Sequence, residues 1–423
     1  MNMQCRYGSF LVIPLKYSAT GTTQGKRWEQ YQRISLTTMD INENVKNMFN
    51  TDTVSSIGSV YRIPEKRILQ ALSEGTEAIH SLQVKDDQGD IYHFSTEDSV
   101  LYVFHTGVAF LCLRMVFDQI QALNAICCPG YAKSTSQYYW IDGQGKNHDF
   151  DVDRWLERLC RGLGLSRFFE GNARFLLEAY TYTLAVFPEY FSCMEEMKKL
   201  TFNLHQMIPA ETATEEYSEE DVRFVYAVKN EDKGAYRWGC CITSQTCSYV
   251  TANQHLDVNT ELNDQENDGL PVVVLALYEK YTCLRFTQRM AEYDHKKGKK
   301  LQELKNAMLE FQAYGTVSPA NLSRWHNVKQ IYAAVLELND VSNAVEDVAA
   351  KMSIVTERQQ EVIRNRNESI INIITIFGIV SIVASVLSIV QILSDGNPVF
   401  WVSTILTSLA MTLVLWLAMH LRR

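Results

Sequence analysis

Hydrophobic positions along the chain fall into three regimes. Short apolar runs separated by turn-forming clusters fill residues 1–268, helical periodicity marks 269–369, and 370–423 is apolar almost throughout. In the first regime, Gly8–Leu15 reads as a buried strand, and further strands are expected at Tyr31–Leu36, Ser56–Ile63 and Ile91–Phe94. Val100–Phe104 and Val108–Met115 flank His105-Thr106-Gly107, which predicts a β-hairpin with glycine in its turn. Tyr138–Ile141 and Tyr180–Phe187 follow, and Val222–Val228, Tyr236–Ile242 and Thr246–Thr251 read as a meander. Helices are expected between them, at Thr38–Phe49, Pro64–Glu77, Asp118–Ile126, Asp151–Leu163 and Glu195–Met207. Such irregular alternation predicts an α+β domain with a mixed sheet. Two acidic polar stretches, Glu211–Asp221 and Asp257–Asp268, read as solvated loops.

From Gly269 the pattern turns helical. Leu270–Tyr293 and Lys299–Tyr314 are expected as helices around the basic turn His295–Lys300, with a break at Gly315–Pro319. No proline or glycine interrupts Ala320–Phe377, which predicts one continuous stalk helix. Leu338, Val341, Val345, Val348, Met352 and Val355 follow at spacings of three and four, and Gln359, Val362, Arg366 and Ser369 extend the seam in polar form.

Residues 370–393 and 400–421 are two apolar runs joined by Ser-Asp-Gly-Asn-Pro-Val. About 24 residues of helix span roughly 36 Å, enough to cross a bilayer core of ~30 Å. Together the runs predict a C-terminal transmembrane hairpin. Arg358, Arg364 and Arg366 precede it and Arg422 and Arg423 follow, while its turn has no Lys or Arg. Both chain ends are therefore expected on the cytoplasmic side of an inner (plasma) membrane, as a multi-pass protein. The opening Met-Asn-Met-Gln-Cys-Arg predicts no cleavable signal peptide.

Charge narrows the partners. The chain of 423 residues carries a formal −9, and because Asp395, Arg422 and Arg423 leave 370–423 at +1, residues 1–369 carry −10. That balance argues against direct nucleic-acid binding. The cysteines show no disulfide rhythm, and Cys240, Cys241 and Cys247 lack a second pair at metal-ligand spacing.

Candidate chemistry lies mainly in the first apolar run. Asn372, Thr375, Gly378, Ser381, Ser385 and Ser388 recur at spacings of three or four, which predicts a shared face of small and polar residues. Such a face can pack against another helix, or line a water-filled path if several copies assemble. Asp395, Gly396 and Asn397 would then ring the outer mouth with oxygen ligands suited to a hard cation, or simply form the helix-terminating turn. Arg154, Arg158 and Arg161 share a helical face that could contact an anion or nucleotide, although a solvated face is the simpler reading. No phosphate-binding loop, zinc signature or nucleophile elbow is present, so no enzyme and no resident cofactor are expected.

The run Arg364-Asn365-Arg366-Asn367 into Ile370–Phe377, the Gly/Asn turn and the basic terminus resemble the CorA family of divalent-cation transporters, the two-transmembrane Gly-x-Asn superfamily. Leu275–Met290 and Tyr102–Leu113 are similar to that family's cytosolic segments. The resemblance implies a homopentamer embedded in the lipid bilayer. Its first span lines a pore, its cytosolic domain gates ion flow, and magnesium serves as permeant or regulatory ion. The family's Gly-Met-Asn tripeptide reads Asp395-Gly396-Asn397 here. Some divergent CorA-like proteins accompany type III CRISPR systems and resemble membrane effectors switched by a nucleotide messenger in antiviral defence, which is the alternative function the resemblance implies.

Overall fold

A computed structural model describes residues 5–17, 26–53, 55–73, 78–86, 88–128, 136–169, 175–213, 218–230, 235–292 and 298–393, with 401, 402, 405 and 408. Among these, fourteen strands form one sheet. They are β1 (Arg6–Lys16), β2 (Gln32–Ile34), β3 (Gly58–Ile63), β4 (Ile79–Lys85), β5 (Ile91–Thr96), β6 (Ser99–Phe104) and β7 (Val108–Phe117). The remainder are β8 (Gln137–Asp142), β9 (Asn147–Phe150), β10 (Ser166–Arg167), β11 (Tyr180–Phe187), β12 (Arg223–Asn230), β13 (Ala235–Ile242) and β14 (Thr246–Ala252).

The main path runs β12-β13-β14-β11-β1-β7-β5-β4-β8-β9. β11 and β14 run parallel, while the β1 pairings are antiparallel, so the sheet is mixed as expected. β1 is central because its apolar run is buried from Tyr7 through Leu15, which requires cover on both faces. The expected hairpin is β6–β7, and Gly107 takes φ +90 in its turn, where a side chain would be strained. β7 splits its pairing, joining β6 through Val100–Cys112 and β5 through Phe94–Phe117.

Helices cover both faces. α1 (Glu43–Asn50), α2 (Glu65–Leu72), α3 (Ile120–Cys127), α4 (Val152–Gly162) and α5 (Met194–His205) precede α6 (Val258–Asn267) and α7 (Gly269–Ala291). One core joins the α2, α3, α4 and α5 side chains to Leu11, Leu111 and Leu113 of the sheet. On α7, Tyr278 stacks on Phe104 at 4.0 Å, and Tyr281 meets Phe110 edge-on at 5.5 Å. α7 is buried along most of its length, with its apolar stretch Leu270–Tyr278 buried on every side.

Asp257–Asp268, expected as a loop, is instead α6. Asp257 accepts backbone N–H bonds from Asn259 and Thr260 as an N-cap, and Leu262 is fully buried. Leu262 lies so close to β1 that a Cβ on Gly8 would meet its Cδ1 at 2.7 Å. Glu266, one of the polar residues that suggested a solvated loop, is itself buried among cations. Glu266 pairs with Arg62 at 2.6 Å and lies 3.7 Å from Arg114, which also pairs with Glu97 at 2.8 Å.

α8 (Gly298–Glu310) ends in a π-helical turn, Phe311–Gly315, and α9 (Pro319–Leu322), α10 (His326–Leu338) and α11 (Val341–Leu393) follow. The continuous stalk helix expected from Ala320 is therefore broken twice. The first break is at Ser323–Trp325, where the Ser323 hydroxyl accepts from the Trp325 N–H at 3.0 Å. The second is at Asn339–Asp340, where Asp340 takes φ +54. A left-handed non-glycine residue costs roughly 1–2 kcal/mol, so other contacts must hold it. The uninterrupted stalk starts only at Val341.

The chain divides into two compact units. One holds Met1–Tyr293 with Lys299–Ala349, and the other holds Asp294–Gly298 with Ala350–Arg423.

Candidate functional site

Among the described residues, one helix is long and apolar enough to cross a membrane. Over Val341–Val386 its most apolar stretch has a mean hydropathy of 2.3 and is not buried at all. Ile374 is 64 % exposed and Ile382 65 %. Asn372, Thr375, Gly378, Ser381, Ser385 and Ser388 all lie on this helix and are all exposed.

Helix geometry does not keep the six on one face. At about 100° per residue, Gly378, Ser381, Ser385 and Ser388 fall within about 80° of one another. The successive spacings of three carry Thr375 about 60° and Asn372 about 120° beyond Gly378, so the six spread over about 200° of the helix and only these four stay close together. The hydroxyls are partly satisfied within the helix. Thr375 donates to the Ile371 carbonyl at 2.9 Å, Ser385 to Ser381 at 2.8 Å and Ser388 to Ala384 at 2.9 Å. Each hydroxyl oxygen keeps acceptor capacity, so the face can enter an apolar medium and still offer oxygens to a cation or a water.

Asp395, Gly396 and Asn397 lie outside the described residues, as does most of the second run, of which Trp401, Val402, Ile405 and Ser408 are described. Trp401, Val402 and Ile405 are more than half exposed.

The seam above the apolar stretch is covered in part. Val341, Val348 and Met352 are buried and Val345, Val355 and Gln359 half-buried, whereas Val362, Arg366 and Ser369 are exposed.

At the upper end of α11 the joint with α10 is gripped by neighbouring residues of α7. Lys280 Nζ donates to Asn339 Oδ1 at 2.8 Å, and burial pulls its pKa down. Glu279 accepts from the Tyr332 hydroxyl at 2.5 Å and from the Val317 N–H at 3.0 Å, and burial pushes its pKa up. From β12, Arg223 pairs with Glu337 at 2.7 Å. Within the joint, Asp340 Oδ1 accepts from Asn343 at 2.6 Å and its carbonyl from the Ala344 N–H at 3.1 Å. The sequence reading missed Lys280, Asn339 and Asp340. The adjacent Asn-Asp between the apolar Leu338 and Val341 is a helix-end signal that could have found them.

Arg154, Arg158 and Arg161 sit on the outer face of α4. Arg161 is taken by Glu157 at 2.7 Å with its side chain 74 % exposed, and Arg158 Nε donates to the Arg154 carbonyl at 3.3 Å. A cavity of about 230 Å³ lies elsewhere, where β13, β14, α6, α7 and α10 meet. Asp40, Glu261, Asp264 and Asp268 line it with Arg237 and Trp238, so its charge opposes a phosphate. Burial pushes the pKa of both Asp40 and Asp268 upward; the Asp268 carboxylate adds to it at Asp40, while the Thr38 hydroxyl opposes it at Asp268.

No protein-family model matches the chain, and no curated protein is detectably similar to it.

Proposed function

We propose that this chain is a CorA-like homo-oligomeric membrane channel for divalent cations of the magnesium type, gated by its large α+β domain. One observation carries the reading. α11 runs without a break to Leu393, and from Ile370 on it is an exposed, apolar helix with a Gly378–Ser388 small-polar face. Isoleucines exposed to that degree need lipid or other copies of the chain around them. A single helix encloses no path, so conduction through the serine face requires assembly, and the family resemblance supplies the pentamer. In this reading residues 370–393 and 400–421 form the hairpin, both chain ends are cytoplasmic, and Asp395–Asn397 lie at the outer mouth.

The test uses purified full-length protein in liposomes, with magnesium and potassium flux followed in parallel. Flux that millimolar magnesium suppresses, and that is lost in Ser381→Trp and Asn397→Trp, supports the channel. Flux that starts only on adding an adenine-nucleotide messenger turns the assignment to the defence effector. No flux under either condition leaves a membrane-anchored scaffold.

A further inference from the structure

We propose that the α10–α11 joint is a two-state element. It is held as a break by Lys280, and on release it closes into one unbroken helix from His326 to Leu393. The inference rests on the joint itself; only its consequence for ion flow depends on the channel reading.

The local sequence does not require a break. No glycine or proline lies between His326 and Phe377, and Ala333, Ala334, Leu336, Glu337 and Leu338 before the joint are good or tolerable helix formers. The apolar register also runs through it. Val328, Ile331, Val335, Leu338, Val341, Val345 and Val348 keep spacings of three and four across Asn339–Asp340. Closing the joint would therefore leave one stripe intact rather than throw it out of phase.

The break is held from outside the helix. The Asn339 side chain donates back to the Val335 carbonyl at 2.9 Å, as a C-terminal cap would, and its own carbonyl is occupied by Lys280 of α7. Glu337, one turn before Asp340, is occupied by Arg223 of β12. Neither cation belongs to α10 or α11. Asp340 meanwhile sits in a backbone region that aspartate tolerates but does not prefer, with its oxygens capping the first turn of α11.

Lys280 is well suited to letting go. Among the described residues no carboxylate pairs with its ammonium, which lies 5.9 Å from the Tyr281 ring and bonds to a neutral amide. A neutral acceptor binds a cation less strongly than a carboxylate does, so release leaves no orphaned negative charge. A shift of α7 by a hydrogen-bond length would free Asn339, and the left-handed residue would relax toward helix. Two packings of one segment, separated by a few contacts, are the physical form of a switch.

Hydrogen exchange on the full-length chain in lipid nanodiscs reads the joint directly. In the broken state the N–H groups of Val341, Ser342 and Asn343 belong to a first helical turn with no carbonyl four residues back in the same helix. In the closed state they bond to residues 337–339. Lys280→Met keeps the aliphatic stem and removes the latch, and Asp340→Ala penalises the left-handed conformation. Both are expected to slow exchange at 341–343 by at least about tenfold, while Asp340→Gly leaves it as fast as in the wild type or faster. Unchanged or faster exchange at 341–343 in Asp340→Ala, with α10 and α7 protected as in the wild type, overturns the proposal. If Lys280→Met loses protection throughout α7 and α10, it has unfolded, and Asp340→Ala, whose side chain is exposed, decides alone. Slowed exchange without any change in liposome flux leaves the switch standing and removes its role in gating.

Discussion

The sheet core and the lower half of α11 are built from the same residue types and meet opposite surroundings. Phe10, Val12, Ile13 and Leu111 are fully buried between helices, whereas Ile374, Ile382 and Val386 on α11 stand more than half exposed. An apolar side chain gains by leaving water, and each of those in the sheet has done so within one chain. Those on α11 have not, and they recur on every side of the helix. The comparison shows that the sheet's apolar side chains are covered within the chain, while those of the lower half of α11 are left uncovered, on a helix long and apolar enough to cross a membrane.

The largest expected effect strikes at that difference. Ile382→Asp combined with Val386→Asp places charges where a bilayer centre is expected, at roughly 2.5–3.5 kcal/mol each. The protein should move from the carbonate-resistant membrane fraction to the soluble or aggregated fraction. Retention in the membrane fraction would mean that α11 is not the anchoring span.

The complementary cut is in the core. Phe104→Ala removes the ring stacked on Tyr278 and should cost about 3–5 kcal/mol in denaturant unfolding, whereas Ile374→Ala should leave the domain's transition in place. Equal losses from both would erase the distinction between the two regions.

A third effect is pH-dependent and confined to the domain. His205 is half-buried at the end of α5, its Nδ1 lies 2.6 Å from the Thr246 hydroxyl, and burial lowers its pKa from 6.5 to about 4. The depressed value means that the folded state holds the neutral ring and the unfolded chain takes up the proton first. Stability is therefore full above 6.5 and falls as pH drops from 6.5 to about 4, by at most about 3 kcal/mol. Melting temperatures across that window should flatten in His205→Gln. An equal slope in the variant would place the titration elsewhere.

The smallest effect is expected on the arginine stripe. Arg154→Gln, Arg158→Gln and Arg161→Gln together should change stability by less than about 1 kcal/mol, because the Arg161–Glu157 pair is solvent-exposed. They should also leave any nucleotide response of liposome flux unchanged. A lost response would make α4 a messenger contact and favour the effector reading.

Much of this was legible locally. The buried run of β1, the β6–β7 hairpin, the helix at α7 and the long apolar helix follow from composition and periodicity over a dozen residues or so. α6 was not legible, because its carboxylates and amides resemble a loop until Arg62 and Arg114 arrive from distant strands to receive them. The six-residue polar face was drawn from spacing alone, and repeated threes on a helix of 3.6 residues per turn wind away from any single face.

The chain by itself determined most of the strands and helices, and that one helix is long and apolar enough to cross a membrane, because side-chain polarity and periodicity act over one or two turns. Only the tertiary structure decided the strand order, the helicity of Val258–Asn267 and the break at Asn339–Asp340. Those depend on charges and carbonyls tens to hundreds of residues away, such as Lys280 for Asn339 and Arg223 for Glu337. Such partners meet only once the chain has folded, so the Asn-Asp pair can mark a helix end locally but not the distant groups that hold it.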